Sequence, residues 1–498
     1  MKVPAACGRI CIFATYKGFA RESRTRGQTL TTNLTTIDPP MTELLDSLLR
    51  GSAVTARFSR DATLQGMLDF EAALAAAEAD AGLIPAAAVA PITAAARASE
   101  FDWNALRDDA ARAGNLAIPL VKQLTARVKA LDADAARFVH WGATSQDAID
   151  TGLILQVRGA LDAIGTDLDG LIGQLAAQVR QHRATVMVGR TWLQHALPIT
   201  FGLKLAGTLD ALLRARADLA NVREQVLCVQ FGGAAGTLAS LGAQGAAVSA
   251  ALARHLCLSE AATPWHGQRD RIVRVGGWAA SLTGLLGKFA RDTAMLTQTE
   301  VGEIAEASGP GRGGSSTMPH KRNPVGCAAM LAAAARTPQL AATLFAAMQQ
   351  DHERGLGTWH AEWETLPELL MLCGGALATA RTLIDDWTVD TARMRANLEI
   401  THGLIMAEAV TMALGEAMGR LEAHRRVEAC CREAIAQQRH LFDVLCENEE
   451  ITRVLSADAL ERLMNPQHYL GAAETFVSRV LALADAAAPT SQPGRKSK

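Results

Sequence analysis

GLILQVRGALDAIGTDLDGLIGQLAAQVRQH, residues 152–182, decides the fold class. Its apolar positions Leu153, Val157, Leu161, Ile164, Leu168, Leu171, Leu175 and Val179 follow one another at spacings of 4, 4, 3, 4, 3, 4 and 4. These match the 3.6-residue turn of an α-helix and not the two-residue alternation of a strand. Outward from this stretch, no proline stands between Pro119 and Pro198, between Pro198 and Pro264, or between Pro367 and Pro466. An interior proline costs a helix about 3 kcal/mol, so these gaps, filled with Ala, Leu, Gln, Arg and Glu, are where long helices fit. Helices are expected around 152–182, 199–229, 236–257, 270–300 and 326–350. Alternating β-formers are scarce and aromatic residues make up only 4%. The expected class is all-α. Small residues such as Ala206, Gly207, Ala279, Ala280, Ala328 and Ala329 let these helices approach closely. Apolar residues on more than one face of each helix suggest a bundle that continues across a subunit boundary.

The chain has 498 residues, 49 basic against 51 acidic, and a mean hydropathy of +0.09. That balance argues against a nucleic-acid partner, and no apolar run is long enough to read as a membrane span. Nine cysteines form neither a disulfide framework nor paired CxxC zinc spacing, which suits a reducing cytoplasm. Residues 1–40 carry six basic residues against two acidic ones and no helical period, and read as a disordered or spurious extension. The expected organisation is then an N-terminal helical domain at 41–150, a central bundle at 151–365, a C-terminal helical domain at 366–490 and a tail at 491–498.

One segment breaks the helical pattern: Ser308-Gly-Pro-Gly-Arg-Gly-Gly-Ser-Ser-Thr-Met-Pro-His-Lys-Arg-Asn-Pro324. Its prolines and glycines force a loop between two long helices. Its hydroxyls and cations are concentrated where the backbone is loosest, which is how functional loops in compact helical domains are built. The reading is a mobile catalytic loop over 308–324.

Gly314-Ser315-Ser316-Thr317-Met318-Pro319-His320-Lys321-Arg322-Asn323 resembles the fumarase/aspartase superfamily motif GSxxMxxKxN at every fixed position. Two further blocks are similar to that superfamily's other regions: His140 to Asp147 with Asp150-Thr151, and Gly189-Arg-Thr-Trp-Leu-Gln194 with Pro198. The resemblance implies an all-α homotetramer with a central long-helix bundle and active sites built from three chains. Many members have histidine where this chain has Trp192. That departure, together with Gln230 to Thr237, Pro264 to Arg271 and His352 to Trp363, resembles the bacterial 3-carboxy-cis,cis-muconate cycloisomerase family. It implies closure of a lactone by a substrate carboxylate, with no metal and no cofactor. Adenylosuccinate lyase is the alternative, because Ser316 to Pro324 is close to its loop as well. A structural, non-enzymatic relative is more remote, since the loop is intact.

A tricarboxylate substrate needs cations and hydroxyl or amide donors, and an aci-carboxylate intermediate needs its extra charge stabilised. The resemblance assigns Ser315 as the group that exchanges the α proton and Lys321 as the stabilising cation. Substrate binding is expected from His140, Thr144, Ser145, Arg190, Thr191, Gln194, Arg269, Arg271, Ser316, Met318 and Asn323. Asp147 and Asp150 read as braces of the helix that follows them.

Overall fold

The computed structural model describes residues 41–487 except 308–312, 315–317 and 319. The expectations for 1–40, for the tail 491–498 and for Ser315 and Ser316 lie outside the described residues. The chain divides into two compact units, Met1–Glu43 and Leu44–Lys498; of the first, only the opening of the Met41–Leu49 helix is described.

The second unit is all-α. The stretch first quoted forms a single helix, Ser145–Gln181, capped by its last residue His182, and its periodic positions from Leu153 to Val179 are all buried. Each such leucine or valine contributes about 1.5–3 kcal/mol on leaving water. Around it lie the long helices Phe201–Val226, Asp270–Leu296, Val325–Ala347 and Thr358–Asp386, which share one core. The Ala473–Ala487 helix joins the same core through Val477, Leu481 and Ala484. A second core is built from Arg60–Asp80, Val89–Ala95, Trp103–Ala113 and Ala117–Leu131, together with Gly245–Leu256. A third holds Val410 to Leu460. None of the described helices is long and apolar enough to cross a membrane.

The structure departs from expectation in three places. The helix expected at 236–257 is α-helical only over Gly245–Leu256. Before it the backbone turns through positive φ at Gly233, Gly236, Leu238 and Gly242, which a continuous helix does not allow. Pro367 lies inside a helix, Thr358–Asp386, which runs straight through the 365/366 limit expected between central and C-terminal portions. Leu366, Leu369 and Leu370 are fully buried beside Pro367, and their burial outweighs the proline's cost. The third departure is an antiparallel hairpin, Val186–Thr191 with Gln194–Thr200, where no strand was expected.

The Arg60–Asp80 and Ser145–Gln181 helices touch backbone to backbone at Gly66 and Gly152. A Cβ on Gly66 would lie 2.7 Å from the Gly152 carbonyl oxygen, and one on Gly152 would lie 2.9 Å from the Met67 nitrogen. Gly173, on the same helix, has nothing within 4 Å of its would-be Cβ. One substitution should therefore have opposite signs at the two places. Gly152→Ala is expected to destabilise by about 1–3 kcal/mol through overpacking. Gly173→Ala is expected to stabilise by about 0.5–1 kcal/mol through helix propensity. Thermal or urea unfolding of the two variants checks this; equal shifts would remove the close crossing from the account.

Candidate active site

The first block sits at the entrance to the Ser145–Gln181 helix. Asp147, fully buried one turn in, accepts from the Thr144 N–H at 3.0 Å, Gly232 N–H at 3.0 Å, Gly233 N–H at 2.9 Å and Gln230 Nε2 at 3.2 Å. His266 Nε2 lies 2.7 Å from the same carboxylate. A carboxylate so surrounded by donors holds its loop rigidly and has little left for a ligand. Asp147 therefore ties the first block to the Gln230–Gly233 and His266 segments.

One turn further, Asp150 receives Arg269 through two nitrogens, at 2.7 and 3.1 Å, and Trp359 Nε1 at 2.9 Å. The other side of the same guanidinium reaches Glu362, with Nε at 3.0 Å. Arg269 is 1% exposed and all three of its nitrogens are engaged. The expectation that Arg269 binds substrate is corrected: it is a buried tie between three helices. Arg271 is turned elsewhere, donating to the Gln225 carbonyl at the end of the Phe201–Val226 helix.

Thr144 and Ser145 present hydroxyls beside these braces. Ser145 Oγ accepts from Asn115 Nδ2 at 3.1 Å, which leaves its own O–H free to donate. Arg354 Nη2 donates to Thr144 Oγ1. His140 lies in the preceding turn at φ 59°, followed by Gly142 at φ 72°. A Cβ on Gly142 would meet Leu241 at 2.4 Å, so only glycine fits there. His140 Nδ1 is 2.6 Å from Glu71 Oε1, on the Arg60–Asp80 helix, with side-chain exposures of 18% and 1%. Burial works against the imidazolium, but the Glu71 carboxylate, with Asp147 behind it, outweighs that and raises the His140 pKa.

The second block occupies the hairpin. Arg190 forms a two-pronged ion pair with the buried Glu303, at 3.0 and 2.7 Å, and Glu303 also accepts from Asn397 at 2.7 Å. Here too an expected substrate cation is committed to a carboxylate: the bidentate pair anchors the hairpin to the Thr391–Asn397 helix. Thr191 pairs with Gln194, both exposed, and the turn between them is Trp192-Leu193. Both turn residues have positive φ, 50° and 65°, and they are 94% and 77% exposed.

The third block is closed at its base. Gly314 bridges Arg322, and the Asn323 N–H donates to the Gly313 carbonyl at 2.9 Å. Below it, the Glu306 carboxylate accepts from the N–H groups of Gly326 and Cys327, both at 2.9 Å, capping the Val325–Ala347 helix. Lys321, His320 and Met318 are exposed and Asn323 is half-buried. The three blocks are thus held by separate partners.

Three residues at the first block were not found by sequence reasoning: Glu71, Asn115 and Arg354. Glu71 is an acid within an apolar helical run, Phe70-Glu71-Ala72-Ala73-Leu74, and that misplaced charge was its only signal. Arg354 lay in a His/Glu/Trp-rich stretch, and Asn115 carried no signal.

Comparison with known proteins fits this arrangement. The family model described as "Lyase" matches residues 49–338, and that described as "Adenylosuccinate lyase C-terminus" matches 403–480. A 3-carboxy-cis,cis-muconate cycloisomerase of Pseudomonas aeruginosa is 55% identical over 89% of this chain and 97% of its own length. One of Bradyrhizobium diazoefficiens is 52% identical over 89% and 98%. The crystal structure of the 3-carboxy-cis,cis-muconate lactonizing enzyme from Pseudomonas putida superposes with a TM-score of 0.86 at 50% identity, over 89% of this chain and 99% of that one. With a matching family model, relatives identical at half of all positions and the same fold, the chain belongs to the fumarase/aspartase superfamily and is an enzyme of its lyase family.

Proposed function

We propose that the chain is a 3-carboxy-cis,cis-muconate cycloisomerase, closing its substrate to 4-carboxymuconolactone in the protocatechuate branch of aromatic catabolism. The observation that carries this is the 55% identity to a relative of that name, across 97% of the relative's length. Trp192 supports it against adenylosuccinate lyase, which the resemblance would give a histidine there.

In the cyclising direction one substrate carboxylate oxygen bonds to the β carbon of the conjugated double bond, and a proton is added at the carbon α to another carboxylate. Nothing is oxidised and no group departs, so the reaction balances with a proton donor and charge stabilisation alone. Holding the attacking carboxylate against the double bond supplies much of the acceleration. Ser315 gives the proton, and removes it in the reverse direction. Lys321 and Asn323 hold the carboxylate on which negative charge develops, where preorganised donors are worth most. Thr144 and Ser145 offer hydroxyls, and His140 and Arg354 take over the cationic role that Arg190 and Arg269 do not fill.

We further propose that the chain works as a homotetramer in the cytoplasm, with each site assembled from blocks of different chains. The separate anchoring of the three blocks supports this, as does a groove of about 750 Å³ lined by Ala211, Trp278, Leu282, Leu285, Phe345 and Met348 along the central helices. In light scattering the mass is expected at four times the 52.7 kDa of one chain. A monomer with full activity would overturn shared sites.

Purified protein with chelator present is expected to remove the diene absorbance of 3-carboxy-cis,cis-muconate and to release no fumarate from adenylosuccinate. Fumarate release would transfer the assignment to the lyase. Ser315→Ala is expected to lower kcat about 10²–10⁴-fold, the usual contribution of a general acid–base group, with the melting temperature unchanged. Unaltered turnover in that variant would take Ser315 out of the mechanism.

A further inference from the structure

The pairing of His140 with Glu71 goes beyond what the superfamily motifs assign. Glu71 is 2% exposed, in the middle of the second core, and its Oε2 has no hydrogen-bond partner among the described residues. A buried carboxylate with one oxygen unmatched is costly unless a cation stands against it. His140 stands there, 2.6 Å away at Nδ1.

We propose that Glu71 is a positioning residue for the reaction: it holds His140 through Nδ1–H as a two-donor imidazolium and so commits the Nε2–H to a substrate carboxylate. This rests on the reading of His140 as a substrate-binding residue. An ionised carboxylate can only accept, so Nδ1 must carry its proton. A neutral His140 would then have a bare lone pair at Nε2, which repels a trianionic substrate, whereas the cation donates.

The surroundings keep the pair in register. The His140 backbone is held in the left-handed region, and Gly142 is seated against Leu241 two residues on. The helix bearing Glu71 and the helix that follows the His140 loop meet at Gly66 and Gly152, so neither can slide without a backbone clash. The charged groups facing the pair are few. Glu78, two turns along from Glu71, has both oxygens unpartnered among the described residues, and burial with Glu71 nearby pushes its pKa up to about 9. It is therefore neutral near pH 7 and adds no second negative charge. Asp147, on the Ser145–Gln181 helix, is occupied by His266, Gln230 and backbone N–H groups. Arg354, approaching from ahead of the Thr358–Asp386 helix, donates to Thr144. Glu71 is thus the acid in direct contact with the ring.

The test uses the full-length protein labelled with ¹⁵N-histidine, His140 being assigned by difference against His140→Asn. In the wild type, the His140 ring is expected to titrate above the usual histidine range with Nδ1 protonated throughout. A raised value means the cation persists to higher pH, and kcat/KM should fall as pH rises through it. In Glu71→Gln both the ring titration and this alkaline limb are expected to move down by about one pH unit, a tenfold change in proton affinity. KM should rise about tenfold at pH 8 with little change in kcat, the mark of lost binding common to ground and transition states. Glu71→Asp, which keeps the charge, should retain most of the shift; it also provides the readout should the glutamine variant fail to fold. An unchanged titration in Glu71→Gln, or a Glu71→Asp indistinguishable from it, would overturn the proposal. Wild-type kcat/KM in His140→Asn would overturn it differently, by removing His140 from the site while the NMR shift still reports the Glu71 contact.

Discussion

A single buried guanidinium ties together the helices around the first candidate block. Arg269 lies between Asp150 and Glu362, so three helices that are far apart in sequence share one ion cluster from which water is excluded. The cost of desolvating three charges is large and is recovered only because donors and acceptors match in a planar fork. Trp359 fills the remaining approach to Asp150. The geometry permits no gradual loosening at its centre, because removing Arg269 would leave two carboxylates facing each other in the core without a cation.

The first block inherits its rigidity from this cluster. Asp147 stands three residues before Asp150 on the same helix, and its own donors fix the loop that carries Thr144 and Ser145. The Gly66/Gly152 crossing fixes where the Arg60–Asp80 helix lies, and hence where Glu71 meets His140. The hairpin repeats the device with Arg190 and Glu303. Several charges that look in sequence like ligands for an anionic substrate are thus spent on one another, leaving a smaller set of cations to face solvent.

What could be read in advance follows physical range. The helical period over residues 152–182 is local, and the structure reproduces it within one long helix. The loop motif is likewise a local pattern of glycine, proline and cation. Arg269–Asp150 and His140–Glu71 depend on how helices cross, with partners 119 and 69 residues apart, and no local pattern encodes a crossing. The hairpin was illegible for a different reason. Its two-residue turn uses Trp and Leu where Asn-Gly is the usual mark, so the sequence carries none of the residues that favour left-handed backbone. Pro367 misled in the opposite sense, since burial of neighbouring leucines overrides a breaker that would decide the matter in an isolated peptide.

The Ala473–Ala487 helix carries a consequence for how the chain is made. It packs Val477, Leu481 and Ala484 into the same core as Leu168 and Leu175, with Arg183 paired to Glu474 and Arg180 to Asp485 across that seam. A piece of the central core is therefore the last part of the described chain to leave the ribosome. At about 5–20 residues per second, the Ser145–Gln181 helix waits some tens of seconds in a nascent chain before its final partner exists. During that interval the part of the seam that Val477, Leu481 and Ala484 cover is open, the kind of transiently exposed apolar surface that chaperones bind.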